Sequence, residues 1–244
     1  MLDRTYSPPN DQLPLRVKGL GYRSGGKDLI SNLDLDITSN DITIIMGPNG
    51  AGKSLLVRLL HALIPADTGS IMWAGHACGP ATRAVQAMVF QKPVLLRRSV
   101  AGNIDFVLKL AGRTDPVHRD ELLQQANLLS RASQPARALS GGEQQRLAIV
   151  RALATEPKVL FLDEPTASLD PASTQAIEAL IDSTAQRGVK IIMVTHDIGQ
   201  ARRLANDVAF VHRGKVIEHS SAEAFFTQPA SSAARDFLAG KIVI

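Results

Sequence analysis

The sequence predicts an α/β protein with a mostly parallel sheet, an N-terminal antiparallel β part and a helical subdomain inserted into the core. Short apolar, β-branched runs (Ile42–Met46, Val159–Leu162 and Val189–Val194) alternate with helical stretches. This is the pattern of strands buried on both faces of a parallel sheet. Near the N-terminus, Leu33-Asp34-Leu35-Asp36-Ile37 instead alternates strictly, as a half-exposed strand does, after the turn-forming Ser24-Gly25-Gly26-Lys27. Between Ser99 and Ala138 strand signals vanish and helical runs follow one another, which marks an insertion.

Taken in order, Met1 to Pro14 is polar and proline-bearing, unlike a basic-apolar secretory signal. It is read as a flexible tail of residues 1–14 before one domain over 15–244, with its helical subdomain at about 92–140. Strands are expected at Leu15–Leu20, Leu33–Ile37 and Ile42–Met46. A helix follows from Leu55 and ends near Pro65, because proline cannot donate to a helical ladder. Asp67-Thr68-Gly69-Ser70 turns the chain into a short strand, Ile71–Ala74, and the strand Val85–Phe90 leads to Gln91-Lys92-Pro93. The insertion holds helices at Val100–Leu110 and Val117–Leu129 and ends at the loop Ser133-Gln134-Pro135. The core then resumes with a helix (Gly142–Ala154), a strand (Val159–Leu162), a helix (Pro171–Arg187) and a strand (Val189–Val194). A helix after Asp197, strands at Val208–Val211 and Val216–Glu218, and closing helices complete the chain.

Composition narrows the function. A chain of 244 residues with 45% apolar and 20% charged residues is ordinary for a globular protein. No run of about 18 apolar residues occurs, so nothing here spans a membrane unaided. The single cysteine, Cys78, excludes an intrachain disulfide, fits a reducing compartment, and is read as a small buried apolar residue. The net charge of +4 is scattered apart from the pairs Arg97-Arg98 and Arg202-Arg203, and aromatics are only 4%. Platforms for stacking bases are thus poorly supplied, and no nucleic-acid partner is expected.

The chemistry is carried by Gly47-Pro48-Asn49-Gly50-Ala51-Gly52-Lys53-Ser54, set between an apolar strand and a helix. That is the context of a phosphate-binding loop. Its glycines let successive N–H groups face one concavity, and the new helix presents free N–H groups and a favourable dipole to the same anion. Lys53 is placed for the β- and γ-phosphates and the Ser54 hydroxyl for Mg²⁺. Downstream, Val159-Leu160-Phe161-Leu162-Asp163-Glu164 is an apolar strand ending in two carboxylates. Ligands bind at such carboxyl ends, so Asp163 suits Mg²⁺ beside Ser54 and Glu164 suits a general base acting on water. A second glycine-rich helix start, Leu139-Ser140-Gly141-Gly142-Glu143-Gln144-Gln145-Arg146, offers a serine hydroxyl and two glycine N–H groups. One chain needs only one loop for its own nucleotide, which points to a site completed in trans by another copy.

These elements together resemble an ATP-binding cassette (ABC) ATPase, with a P-loop NTPase core, over about Leu15 to Lys215. The resemblance implies ATP and Mg²⁺ as ligands and assigns further residues. Tyr22, in Gly19-Leu20-Gly21-Tyr22, resembles the aromatic that stacks on adenine. Gln91 resembles the glutamine that contacts Mg²⁺ and the attacking water. Ser168-Leu169-Asp170 resembles the loop that crosses to the opposing subunit, with Asp170 at that interface, and His196 resembles the switch histidine at the γ-phosphate. Leu55 departs from the pattern, standing where many members carry a second hydroxyl; its backbone N–H remains for phosphate. The implied mechanism is a head-to-tail pair, with each ATP held between one phosphate loop and the partner's Ser140–Gly142.

Three classes compete on this reading. A phosphate-loop GTP switch lacks support because no Asn-Lys-x-Asp motif is present, and nucleic-acid-handling cassettes carry long coiled coils or two cassettes. One cassette, no membrane span and a compact helical insertion favour the third class, and the resemblance then implies the separate ATPase subunit of a bacterial-type importer, at the cytoplasmic face of the cell membrane. Its implied partners are a second ABC ATPase subunit, in a homodimer, transmembrane permease subunits and, indirectly, an extracytoplasmic solute-binding protein. The segment Gln91 to Val100, with Lys53-Ser54-Leu55 and Phe237-Leu238-Ala239-Gly240, resembles oxyanion importers, tungstate first and molybdate or phosphate next. A polar amino-acid importer is the alternative.

Overall fold

The computed structural model of the chain describes residues 11–241, so residues 1–10 of the expected tail lie outside the described residues. Leu13 packs on the N-terminal core, and the Pro14 carbonyl accepts from the Ala74 N–H at 3.0 Å. Strands β1 (Leu15–Ser24) and β2 (Lys27–Ile37) form an antiparallel hairpin. With β4 (Thr68–Trp73) and β5 (His76–Ala77) they make a four-stranded antiparallel sheet. β1 outruns the expected Leu20 because the pairing shifts register around Gly21 and Tyr22. Such a bulge breaks the alternation read from sequence without ending the ladder. Gly25 and Gly26, both at positive φ (58° and 77°), close the hairpin, as a two-residue turn matched to the strand twist requires.

The second sheet has six strands in the order β10-β9-β3-β8-β7-β6. β3 (Thr43–Met46), β6 (Gln86–Val89), β7 (Val159–Asp163), β8 (Lys190–Val194) and β9 (Asp207–His212) run parallel. β10 (Lys215–Ser221) closes the edge antiparallel. The continuous apolar runs divide by alternation. Leu160 and Leu162 of β7 face one core, whereas Val159 and Phe161 face the other. Burial on both faces is what a side-chain period of two gives a central strand between two layers.

Helix α1 (Lys53–Leu60) lies in the core shared with the antiparallel sheet. The other face carries α5 (Gly141–Leu153), α6 (Pro171–Gln186) and α7 (Ile198–Leu204). A short α2 (Pro80–Arg83) precedes β6, and α8 (Ala222–Thr227) and α9 (Ser232–Leu238) close the chain. The insertion supplies α3 (Val100–Leu110) and α4 (Pro116–Gln125). Val100, Ile104, Leu108, Leu122 and Leu123 join the same buried cluster as Leu147 and Leu160, so the insertion packs onto α5 and shares its core. α4 stops short of the expected Leu129. Asn127 takes φ 53°, and Leu128 N–H returns to the Leu123 carbonyl at 2.8 Å. That is a left-handed cap, and it turns Leu128 into the core. Among the described residues no helix is long and apolar enough to cross a membrane.

Candidate functional site

Strands β3, β8 and β7 are parallel neighbours, so their carboxyl ends bring three loops side by side. After Met46 comes the glycine loop, after Asp163 comes Glu164, and after Val194 come Thr195 and His196. Gly47 takes φ 145°, and a Cβ there would lie 2.0 Å from the Val211 carbonyl oxygen. Only glycine lets the loop leave the sheet so close to β9. Gly52, at φ 102°, starts α1 with no side-chain cap, which leaves the first-turn N–H groups for an anion. Pro48, Asn49, Gly50 and Ala51 complete the turn, with the Ala51 N–H on the Pro48 carbonyl at 3.2 Å.

Lys53 is buried and donates from Nζ to the carbonyls of Gly47 (2.8 Å) and Pro48 (2.9 Å). Burial pushes its pKa below the usual lysine range, while Glu164 and Asp163 act in the opposite sense. The Ser54 hydroxyl donates to Asp163 Oδ1 at 2.7 Å. Asp163 is buried, and its carboxyl is pushed up by desolvation. The Ser54 hydrogen bond and the cations Arg58 and Lys53 pull it down, and Glu164 adds to the rise. Glu164 sits at φ 47° with its N–H on the Val194 carbonyl at 3.0 Å. Its carboxylate lies 3.1 Å from His196 Nδ1, and the histidine side chain is 54% exposed. One contiguous patch thus holds a buried cation, a hydroxyl, two carboxylates and an accessible imidazole.

The other expected residues stand elsewhere. Tyr22 is half-buried on β1, opposite Ile30, against the N-terminal core. Leu55 packs in the same core. Gln91 is exposed, just beyond β6. Next to it, the Phe90 carbonyl accepts from Gln145 Nε2 of α5 at 3.3 Å. Gln145 was not singled out from sequence, although its burial on α5 three positions after Gly142 follows from helical periodicity.

Ser140 caps α5 through a reciprocal box: its Oγ accepts from the Glu143 N–H (3.4 Å) and Glu143 Oε2 accepts from the Ser140 N–H (2.9 Å). That interaction draws the Glu143 carboxyl below its usual range. Gly141 is exposed with Leu169 3.5 Å from where a Cβ would stand, whereas a Cβ on Gly142 would meet Ser173 Oγ at 2.3 Å. Asp170 is exposed and caps α6, accepting from the Ser173 N–H at 2.9 Å. Ser140–Gly142 and Asp170 therefore form a second group, joined through Ser173. Among the described residues none of these hydrogen bonds reaches Lys53, Ser54 or Asp163.

The glycine loop with its lysine, beside an acidic strand end, defines a phosphate-loop nucleotide-binding protein. The ABC transporter family model matches residues 30–167, more than half of the chain, and the chain belongs to that family. It is 34% identical to the phosphate import ATP-binding protein PstB of Mycoplasmoides gallisepticum, over 91% of this chain and 74% of that protein. With PstB 2 of Bacillus subtilis it shares 35% identity over 98% of this chain and 96% of the relative. Among solved structures, cbiO1 of Clostridium perfringens, part of the ABC transporter complex cbiONQ, superposes with a TM-score of 0.79 at 28% identity. That match covers 89% of this chain and 92% of cbiO1. The chain is accordingly an ATP-binding transport ATPase.

Proposed function

We propose that the chain is the ATP-hydrolysing subunit of an importer for a small oxyanion, working as a head-to-tail pair of identical cassettes. The observation that carries the hydrolytic reading is the 3.1 Å contact between His196 Nδ1 and Glu164 Oε1, beside the buried Lys53. Lys53 and the N–H groups of the loop and α1 bind and orient the phosphates. Glu164 takes the proton of the attacking water as general base. His196 holds that carboxylate on one side and reaches the γ-phosphate on the other. The Ser54 hydroxyl and Asp163 carboxylate, already 2.7 Å apart, are hard oxygen donors of the kind that would hold Mg²⁺, and the Gln91 side-chain oxygen, which stands apart from them in this structure, would complete the set. When bound, Mg²⁺ offsets the negative charge of the phosphates.

The residues 15–244 act as one ABC ATPase domain, with residues 92–140 as its helical part. Tyr22 faces adenine. Ser140, Gly141, Gly142 and Asp170 serve the nucleotide of the second copy. Exposed Arg97 and Arg98, in the segment that follows Gln91, suit a contact with transmembrane permease subunits, which would hold the chain at the cytoplasmic face of the membrane. A solute-binding protein would deliver the solute from outside. Both curated relatives are named for phosphate import, which favours phosphate over tungstate and molybdate within the oxyanion class.

Glu164→Gln tests the hydrolytic assignment. It keeps size and hydrogen bonding but removes the base, so turnover falls about 10²–10⁴-fold while ATP still binds. Parental turnover in this variant would remove Glu164 from the role. The solute is tested by reconstituting the chain with its permease and binding protein. ATP hydrolysis should rise with phosphate; stimulation by tungstate or molybdate alone would overturn that choice.

A further inference from the structure

A polar chain centred on the buried Gln200 and Glu178 lies outside the residues given roles above, and it ties the two halves of the hydrolytic machinery together. Gln200, on α7, is 1% exposed. Its amide nitrogen donates to Thr166 Oγ1 at 2.9 Å and to Glu178 Oε1 at 3.2 Å. Glu178, on α6, is itself buried and accepts a two-pronged pair from Arg203, Nε to Oε2 at 2.8 Å and Nη2 to Oε1 at 2.7 Å. An ionised carboxylate only accepts, so Glu178 dictates which end of the Gln200 amide faces it. The backbone N–H of Gln200 is held by Asp197 Oδ1 at 2.8 Å, and the Asp197 N–H by Thr195 Oγ1 at 3.1 Å.

Each end of this chain sits next to a hydrolytic residue. Thr166 belongs to the turn opened by Glu164, in which the Ala167 N–H bonds the Glu164 carbonyl at 3.2 Å and the Leu169 N–H bonds the Thr166 carbonyl at 3.2 Å. Both Glu164 and Ser168 in that turn carry positive φ, 47° and 62°. Held non-glycine residues of this kind persist where surrounding contacts fix them. At the other end, Asp197 caps α7 and directly follows His196. The turn bearing Glu164 and the helix start bearing His196 are therefore cross-linked by one side chain, Gln200.

We infer that Gln200 is a positioning residue for ATP hydrolysis: it sets Glu164 against His196, and Glu178 with Arg203 holds its amide in the working orientation. The inference rests on the roles given to Glu164 and His196 above. Gln200 touches no reacting atom in this scheme; it acts through the turn and the helix it joins.

The test uses the full-length chain with Mg-ATP. In Gln200→Leu, Glu178 keeps its Arg203 pair, so the fold and the phosphate loop survive. The expected result is a fall of at least ~10-fold in kcat, with KM and the dissociation constant for ATP changed less than ~2-fold and an unchanged melting temperature. Gln200→Glu sets two carboxylates against each other and should be worse. The reciprocal swap Glu178→Gln with Gln200→Glu rebuilds an amide-to-carboxylate hydrogen bond, and should recover kcat to within ~3-fold of the parent, a non-additivity expected of directly coupled residues. The swap also decides the matter if Gln200→Leu does not fold. Parental kcat in Gln200→Leu would overturn the inference. So would losses of kcat, ATP affinity and melting temperature in parallel, or a swap no better than Gln200→Glu. Parental turnover in Glu164→Gln is a separate outcome: it removes the reading beneath this one, whatever the Gln200 variants do.

Discussion

Two helices in this molecule begin at a glycine-rich loop, α1 after Gly52 and α5 after Ser140, and they treat their first-turn N–H groups differently. At α1 no side chain caps the helix, and Lys53 is buried against the loop carbonyls. At α5, Ser140 and Glu143 satisfy each other's backbone in a closed box. The first leaves its opening N–H groups without a side-chain cap, as an anion site at a helix start requires; the second is a closed helix start with the Gly141 and Gly142 N–H groups outside its box. Burial follows the same division. Lys53 and Asp163 are buried, whereas Ser140, Gly141 and Asp170 are exposed. An uncapped loop around a buried lysine and an exposed, self-capped helix start are the two unequal halves that the proposed shared site calls for.

The largest effect that sharpens this contrast is expected at Lys53. Lys53→Ala removes the one buried cation of the loop and should cut kcat/KM for ATP by about 100-fold or more, near 2.7 kcal/mol. Steady-state hydrolysis and ATP titration check it. An equal loss from both Lys53→Ala and a capping variant at Ser140 in ATP binding to the single chain would break the contrast.

Gly142→Ala comes next, and the change should be in stability. The new methyl meets Ser173 Oγ at 2.3 Å and its Cβ at 2.6 Å, an overpacking that costs about 1–3 kcal/mol. Denaturant melts should show it, and adding Ser173→Gly should restore most of the loss. The smallest effect is at Gly141, whose added Cβ meets only Leu169 at 3.5 Å. Gly141→Ala should alter stability by no more than ~0.5 kcal/mol while weakening ATP-driven association of two chains, measured by sedimentation. The two variants would then separate packing from partner contact.

That separation was not legible in the sequence, where Gly141 and Gly142 read as equivalent phosphate donors. The clash that singles out Gly142 comes from Ser173 on another helix, and no local pattern announces it. The central strands were legible because β-branched apolar runs leave little else to be: β7 and β8 differ from their expected spans by about one residue at an end. The second half of β1 was hidden by the bulge at Gly21, and the end of α4 by the left-handed Asn127, since a Gly or Asn permits such a backbone turn without requiring it. Of the site, the Lys53–Ser54–Asp163 group could be argued from residue chemistry alone. His196 came only from family resemblance, and the Gln200 chain not at all, because its partners lie on separate helices and a turn.

The most direct test of the shared site mixes two defective chains, both carrying Glu164→Gln so that bound ATP is retained. One has Lys53→Ala, which spoils its own phosphate loop, and the other Gly141→Asp, which spoils what it offers a partner. Each alone should retain almost no ATP as a dimer. Mixed, random pairing gives half heterodimers, each with one intact loop facing one intact Ser140–Gly142, so retained ATP should return to about a quarter of the level without the two loop changes. If the mixture retains no more ATP than the separate variants, the two glycine-led helix starts do not complete one another across chains.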